Sequence, residues 1–305
     1  MSMATRTSEC VEIRIESSTS RIAFLVKVAR PGLWATSAWF YLLPLGGMHV
    51  FHTARFWLGL VYVTFPLGLI LYGWNDIADC DIDQFNPRKG TFLFGARGSR
   101  ANLLRLPFQI AVVQVFFATV LGFFVGGKIL LWFAALIVST AVYNLPRYGL
   151  RSLPPFDILN QAGYLLVFVL SSWLNHAPQL PWQAMIFGAL FAMHSHVFGE
   201  VMDIEPDRRS GRHTTATVIG QIPAKLLIAT MLAAESLLVY VHFGDPWISG
   251  ALVLGCLWFV LDALVFWKNR IYSLLQMRAF MLGWNAIALC SMGWVWSTAT
   301  LARQR

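Results

Sequence analysis

Asp76, Asp79 and Asp83 stand at positions i, i+3 and i+7, and Glu200, Asp203 and Asp207 repeat that spacing roughly 125 residues later. On a helix, each set falls along one stripe. Three carboxylates on one face repel each other, so the arrangement needs divalent cations or cationic side chains beside it. Oxygen-rich clusters of this kind suit Mg²⁺, which usually arrives with phosphate groups. Asn75 precedes the first set and offers a neutral oxygen, while Asp81 and Glu205 fall off the stripes and read as solvated. Arg88 and Lys89 follow the first set at once, and Arg208, Arg209 and Arg212 follow the second. Guanidinium groups grip diphosphate oxygens bidentately. Each of these cations also reads as a topology charge, with Arg88 and Lys89 weighted above Arg97 and Arg100 because they stand nearer the carboxylates. Cys80 lies within the first cluster as a bystander. Together these residue types point to the handling of a diphosphate.

The elements that must carry these clusters are apolar. The 305 residues are 57% hydrophobic and 12% charged, against about 25% charged in a soluble domain. Apolar runs near membrane-spanning length recur over about 33–50, 56–74, 106–126, 129–146, 158–175, 182–200, 224–242, 247–267 and 277–299. The expected fold class is therefore all-α, a polytopic bundle of about nine transmembrane helices embedded in a lipid bilayer. Residues 1–30 read as a cytosolic tail with a short interfacial helix over 18–30, and 31–305 as one transmembrane domain. With this layout, 19 of the 23 Lys and Arg fall on one side. That asymmetry places the N-terminus in the cytosol and the C-terminus on the opposite side. Both acidic clusters then emerge on the cytosolic face and can converge across the bundle. The net charge of +8 is spread over alternating loops and forms no nucleic-acid surface. Four cysteines show no metal or disulfide spacing, and no cleavable signal peptide is expected.

At this level the chain resembles the UbiA superfamily of membrane prenyltransferases, and the likeness covers nearly the whole sequence. The family's N-D-x-x-D-x-x-x-D motif is matched by Asn75, Asp76, Asp79 and Asp83. Its second motif is matched by Asp203 and Asp207, with Glu200 in the first place. A third element reads Tyr143-Asn144-Leu145-Pro146, with Arg151 where the family has lysine. Glu200 for Asp, Asn144 for Ser, Arg151 for Lys and Gly149 in place of a frequent arginine are the departures. The stretch Asn86-Pro87-Arg88-Lys89-Gly90 is similar to one in the lycopene elongase branch.

The resemblance implies an enzyme that moves a prenyl group from an isoprenoid diphosphate donor to a lipophilic acceptor. Asp76, Asp79, Asp83, Asp203 and Asp207 would hold about two Mg²⁺. Asn75, Asp83, Arg88, Lys89, Tyr143, Arg151 and Glu200 would contact the donor. Catalysis is expected to rest on Asp76, Asp79, Asp203 and Asp207. The same residues permit a membrane terpene cyclase. A cation-coupled transporter would instead place its carboxylates near mid-membrane. Asp157 and Asn160 read equally as caps or substrate contacts, while His194 and His196 read as hydrogen-bonded packing groups. Glu235, inside the seventh span, is either a bundle contact or a cavity residue.

Overall fold

The computed structural model describes residues 18–303 apart from Phe85 and Arg147; most of the expected N-terminal tail, with Cys10, lies outside the described residues. Helix α1 (Ser18–Val28) leads through a Pro31–Leu33 turn into α2 (Trp34–Leu42) and then α3 (Ala54–Ala78). A single turn, α4 (Cys80–Asp83), follows α3, and a loop leads to α5 (Arg100–Val125) and α6 (Lys128–Asn144). Next come α7 (Phe156–Leu159), α8 (Leu165–Asn175) and the long α9 (Trp182–Ser210). The chain finishes with α10 (Thr215–Ile219), α11 (Gln221–Phe243), α12 (Pro246–Leu261) and α13 (Leu274–Thr298). Among the described residues, the only β pairing is an isolated bridge between Thr91 and Gly95.

Seven helical stretches among the described residues are long and apolar enough to cross a membrane. The expected nine-span layout differs at two places. The fourth span, α6, is apolar but has only 17 residues. The first is broken: α2 ends at Leu42 and gives way to a Leu43–Leu45 turn containing Pro44, whose ring lacks the N–H a continuing helix needs.

Several polar groups inside the bundle find partners on neighbouring helices, as a low-dielectric environment favours. Gln114 of α5 accepts from the Tyr62 hydroxyl at 3.0 Å and donates to the Pro66 carbonyl of α3 at 2.7 Å. Glu235 is fully buried and meets His194 Nδ1 at 2.7 Å, so it is a contact within the bundle. Lys225 is fully buried on α11 and donates to Asp262 at 3.0 Å and to the Lys268 carbonyl at 2.9 Å.

One close approach positions the site directly. Gly68 of α3 lies against the Ala29 carbonyl, where an added Cβ would stand 2.6 Å from that oxygen. The lack of a side chain lets the end of α1 settle on α3, which carries Arg30 over the acidic end of that helix.

Candidate active site

The C-terminal ends of α3 and α9 meet at one end of the bundle. Helix α9 runs unbroken through Pro206 and stops at Gly211, whose φ of 73° suits the left-handed conformation. Glu200, Asp203 and Asp207 therefore share one helix, as their spacing predicts. The first set is different. The backbone leaves the α3 helix at Asp79 (φ −108°, ψ 11°) and restarts in α4. Asp76 and Asp83 still share a partner, Lys89, at 2.6 and 2.7 Å. Asp79 turns elsewhere, pairing with Arg151 and Arg212 and accepting from Asn75 Nδ2 at 3.0 Å.

Five cations from four separate segments answer the carboxylates. Arg30 Nη2 donates to Asp76 at 3.0 Å, and its guanidinium lies 4.6 Å over the Tyr72 ring. Arg30 holds this place from a left-handed backbone (φ 49°), a conformation costly for a residue other than glycine. Arg88 forks onto Asp203, with Nε at 3.0 Å and Nη2 on the other oxygen, and Asn86 Nδ2 adds a third donor at 2.8 Å. Arg212 bridges the two clusters, pairing with Asp79 and reaching Asp207 at 3.6 Å. The loop bearing Arg88 and Lys89 is closed by backbone bonds from the Gly90 N–H to the Gly95 carbonyl and from the Gly95 N–H to the Thr91 carbonyl. Both glycines have φ near 100°, a region side chains avoid, and Gly95 packs on Arg30.

This pairing answers the repulsion that the spacing raises. Arg212 and Lys89 stand between carboxylates, and among the described residues no three acidic or imidazole side chains converge as a ready metal cage. Burial works against the charged Arg212 guanidinium, but Asp79 and Asp207 outweigh it and its pKa is raised. For Asp83 burial dominates, Lys89 partly offsets it, and Asp76 adds repulsion, so its carboxyl is pushed up to about 6. Arg151 is lowered, by burial first and despite Asp79. The donor set still suits a hard divalent ion. It is all oxygen, and Asp76 Oδ2 is a buried carboxylate oxygen with no hydrogen-bond partner.

Beneath this cap lies a cavity of about 320 Å³. Asn75, Asp79, Asp83, Asp203 and Asp207 line its mouth; Asp76, 3% exposed, stands just behind. Its deeper walls are apolar and aromatic, including Phe40, Trp132, Tyr164, Phe198 and Trp284. Arg88, Lys89, Tyr143, Arg151 and Glu200 also line it, so ten of the eleven sequence-predicted site residues, Asp76 excepted, border one space. Glu200 points away from the cap carboxylates and toward Asp157, accepting from the Ala216 N–H at 3.0 Å and facing His196 at 3.1 Å. Asp157 is fully buried and holds the Thr215 backbone and hydroxyl at 2.6 and 2.7 Å, a structural tie, whereas Asn160 lines the cavity. Arg208 and Arg209 are exposed. Sequence reasoning passed over Arg30 and left Arg212 as one of three loop cations. The only available signals were the position of Arg30 before Pro31 and of Arg212 one turn past the last carboxylate.

The match to a family model decides the class: the UbiA prenyltransferase family model spans residues 32–286. The chain belongs to the UbiA prenyltransferase family. As such it is a membrane-bound prenyltransferase. Its similarity to the lycopene elongase branch is borne out by curated relatives. It is 26% identical over 255 residues to a lycopene elongase/hydratase of Corynebacterium glutamicum, covering 81% of this chain and 86% of that protein. A lycopene elongase/hydratase of Halobacterium salinarum is 32% identical over 189 residues, 60% of this chain and 66% of that one. The fold matches a UbiA homolog from Archaeoglobus fulgidus solved with DMAPP and Mg²⁺, with a TM-score of 0.64 at 17% identity over 90% of this chain and 99% of that one. The same homolog solved with GPP and Mg²⁺ gives a TM-score of 0.63.

Proposed function

We propose that this prenyltransferase joins the prenyl group of a short isoprenoid diphosphate to the end of a long polyene or similar lipophilic acceptor, releasing diphosphate. The observation that carries this reading is the meeting of two acidic segments with five cations at the mouth of an aromatic-walled cavity. Asp76, Asp79, Asp83, Asp203 and Asp207, with Asn75, would hold Mg²⁺, and the ion when bound neutralises charge developing on the departing diphosphate. In the resting protein Arg30, Arg88, Lys89, Arg151 and Arg212 are each paired with a carboxylate. Once those are otherwise satisfied, the basic groups turn to diphosphate oxygens, and Arg offers two parallel donors for each.

The aromatic walls exclude water and present π-faces to an allylic cation at the donor's C1. A cavity of this volume suits a short donor and one end of an acceptor rather than a whole polyene. The names of the curated relatives favour a carotenoid-like acceptor. The cap is proposed to face the cytosol, with the C-terminus on the opposite side, because the loops flanking the cap carry most of the Lys and Arg.

The test uses the full chain in lipid nanodiscs with dimethylallyl diphosphate, lycopene and Mg²⁺. Release of diphosphate together with a heavier polyene, both lost in EDTA, is the expected result. Absence of any Mg²⁺-dependent diphosphate release rejects the reading. Release with a cyclised hydrocarbon in the absence of lycopene replaces it with a cyclase.

A further inference from the structure

His196 occupies a distinctive place on α9. His196, Gly199 and Asp203 follow one another at i, i+3 and i+7, and all three line the cavity. At 1.5 Å per residue, the imidazole lies about 10 Å below the Asp203 end of the cap. Between them, Gly199 has no atom within 4 Å of the place a Cβ would take, so this face of the helix leaves room for a substrate. Among the described residues the ring is the only imidazole lining the cavity; the neighbouring His194 is buried against Glu235. Its Nε2 stands 3.3 Å from the Tyr143 hydroxyl and 3.1 Å from Glu200 Oε1. The second oxygen of Glu200 is anchored by the Ala216 N–H at 3.0 Å. A ring open in part to the cavity, with a carboxylate and a tyrosine at one nitrogen, is placed to receive a proton from a bound substrate.

We propose that His196 is the proton acceptor that ends the reaction, with Glu200 as the carboxylate stabilising the imidazolium and Tyr143 as the group orienting the ring. This deepens the proposed prenyl transfer and rests on it. When the π electrons of an acceptor double bond attack C1 of the donor, a C–C bond forms, the C–O bond to diphosphate breaks, and a positive charge moves to the acceptor's tertiary carbon. Two routes discharge it. A neighbouring C–H gives up its proton while its electron pair closes a new double bond, or a water oxygen adds and sheds a proton. Each route liberates one proton, away from the diphosphate gripped in the cap. In the neutral ring with hydrogen on Nδ1, Nε2 accepts from the Tyr143 hydroxyl. Once protonated, Nε2 donates to Glu200 Oε1.

The experiment compares wild type with His196→Gln and His196→Ala in nanodiscs, with dimethylallyl diphosphate, Mg²⁺ and lycopene, measuring diphosphate release and coupled product together. Diphosphate release, which depends on the cap, is expected to persist within about threefold and serves as the folding control. Coupled product per diphosphate released should fall by about a hundredfold, with prenyl alcohol in its place, and added imidazole should restore coupling in His196→Ala. An unchanged coupling ratio in both variants overturns the assignment of His196 while leaving prenyl transfer standing. A wild type that releases no diphosphate overturns the transfer itself, and this inference with it.

Discussion

Replacing Arg212 with Gln gives the sharpest test of how the cap is held together. The guanidinium touches Asp79 and reaches Asp207 at 3.6 Å, with side-chain exposures of 14%, 2% and 6% for the three residues. At 3.6 Å and an effective dielectric near 20, one such pair is worth about 5 kcal/mol of gross attraction. Desolvation of the three groups takes back much of it. Removing the arginine leaves two poorly solvated carboxylates facing each other, a loss of about 3–5 kcal/mol for a broken buried pair. Arg151 still holds Asp79, so the lower end applies, about 3 kcal/mol. At roughly 2 °C per kcal/mol for a chain of this size, Tm in detergent with EDTA should drop by about 6 °C. Adding Mg²⁺ should recover part of that loss in the variant and raise wild type less, because the freed carboxylates accept a divalent ion without displacing a guanidinium. The double variant Arg212→Gln/Asp79→Asn should be more stable than the sum of the single losses predicts, by about 1–3 kcal/mol. A variant that melts within about 1 °C of wild type, or a Mg²⁺ response equal in both proteins, refutes the counter-ion account.

The other expectations concern single positions. Asp76→Ala or Asp203→Ala should cut Mg²⁺-dependent diphosphate release from a prenyl diphosphate by at least about a hundredfold, read in a coupled phosphate assay. Asp83 is pushed up to about 6 from 3.8, by burial first. Between those values the folded chain binds the extra proton, so this group's contribution to stability falls as pH rises from about 4 to 6. In EDTA, melting scans across that window should show Asp83→Asn gaining on wild type as pH rises, and parallel curves would contradict the shift. Asp245 caps α12 through the Trp247 and Ile248 N–H groups and accepts from the Trp294 indole and Thr300. Asp245→Ala should cost about 2 kcal/mol without changing diphosphate release at saturating donor. Those donors outweigh burial and hold the Asp245 carboxyl below its usual range. Its contribution is therefore present above about pH 4 and disappears only as acid titrates it in the folded protein.

Much of the architecture was legible because it is written locally. Apolar runs of span length mark most of the membrane-crossing helices, and the i, i+3, i+7 carboxylates mark where α3 and α9 end in polar surroundings. Misreadings arose where a neighbouring element overrides local pattern. Pro44 and the turn around it break the first span, and Asp79 leaves its helix to meet two arginines from other segments. Lys225 is buried with Asp262, 37 positions away and just past the end of α12, a pairing that no local pattern announces. His194 and His196 are two residues apart on one helix, yet one packs on Glu235 and the other borders the cavity, because residues two apart on a helix face different neighbours.

By itself, the sequence determined an all-helical membrane protein, two carboxylate motifs on one side of it, and membership of a prenyltransferase family. Hydropathy and spacing settle the first two, since each depends on residues within a few turns of one another, while the family follows from the likeness of the motifs and the family-model match over residues 32–286. Only the tertiary structure decided which cation answers which carboxylate. The Arg30–Asp76 and Arg212–Asp79 contacts join residues 46 and 133 positions apart. Such pairings depend on how helices pack, down to the bare backbone at Gly68 that lets Arg30 reach the cap. Charge alone, exchangeable among so many Lys and Arg along the chain, carries no address until packing brings one of them within reach of a given carboxylate.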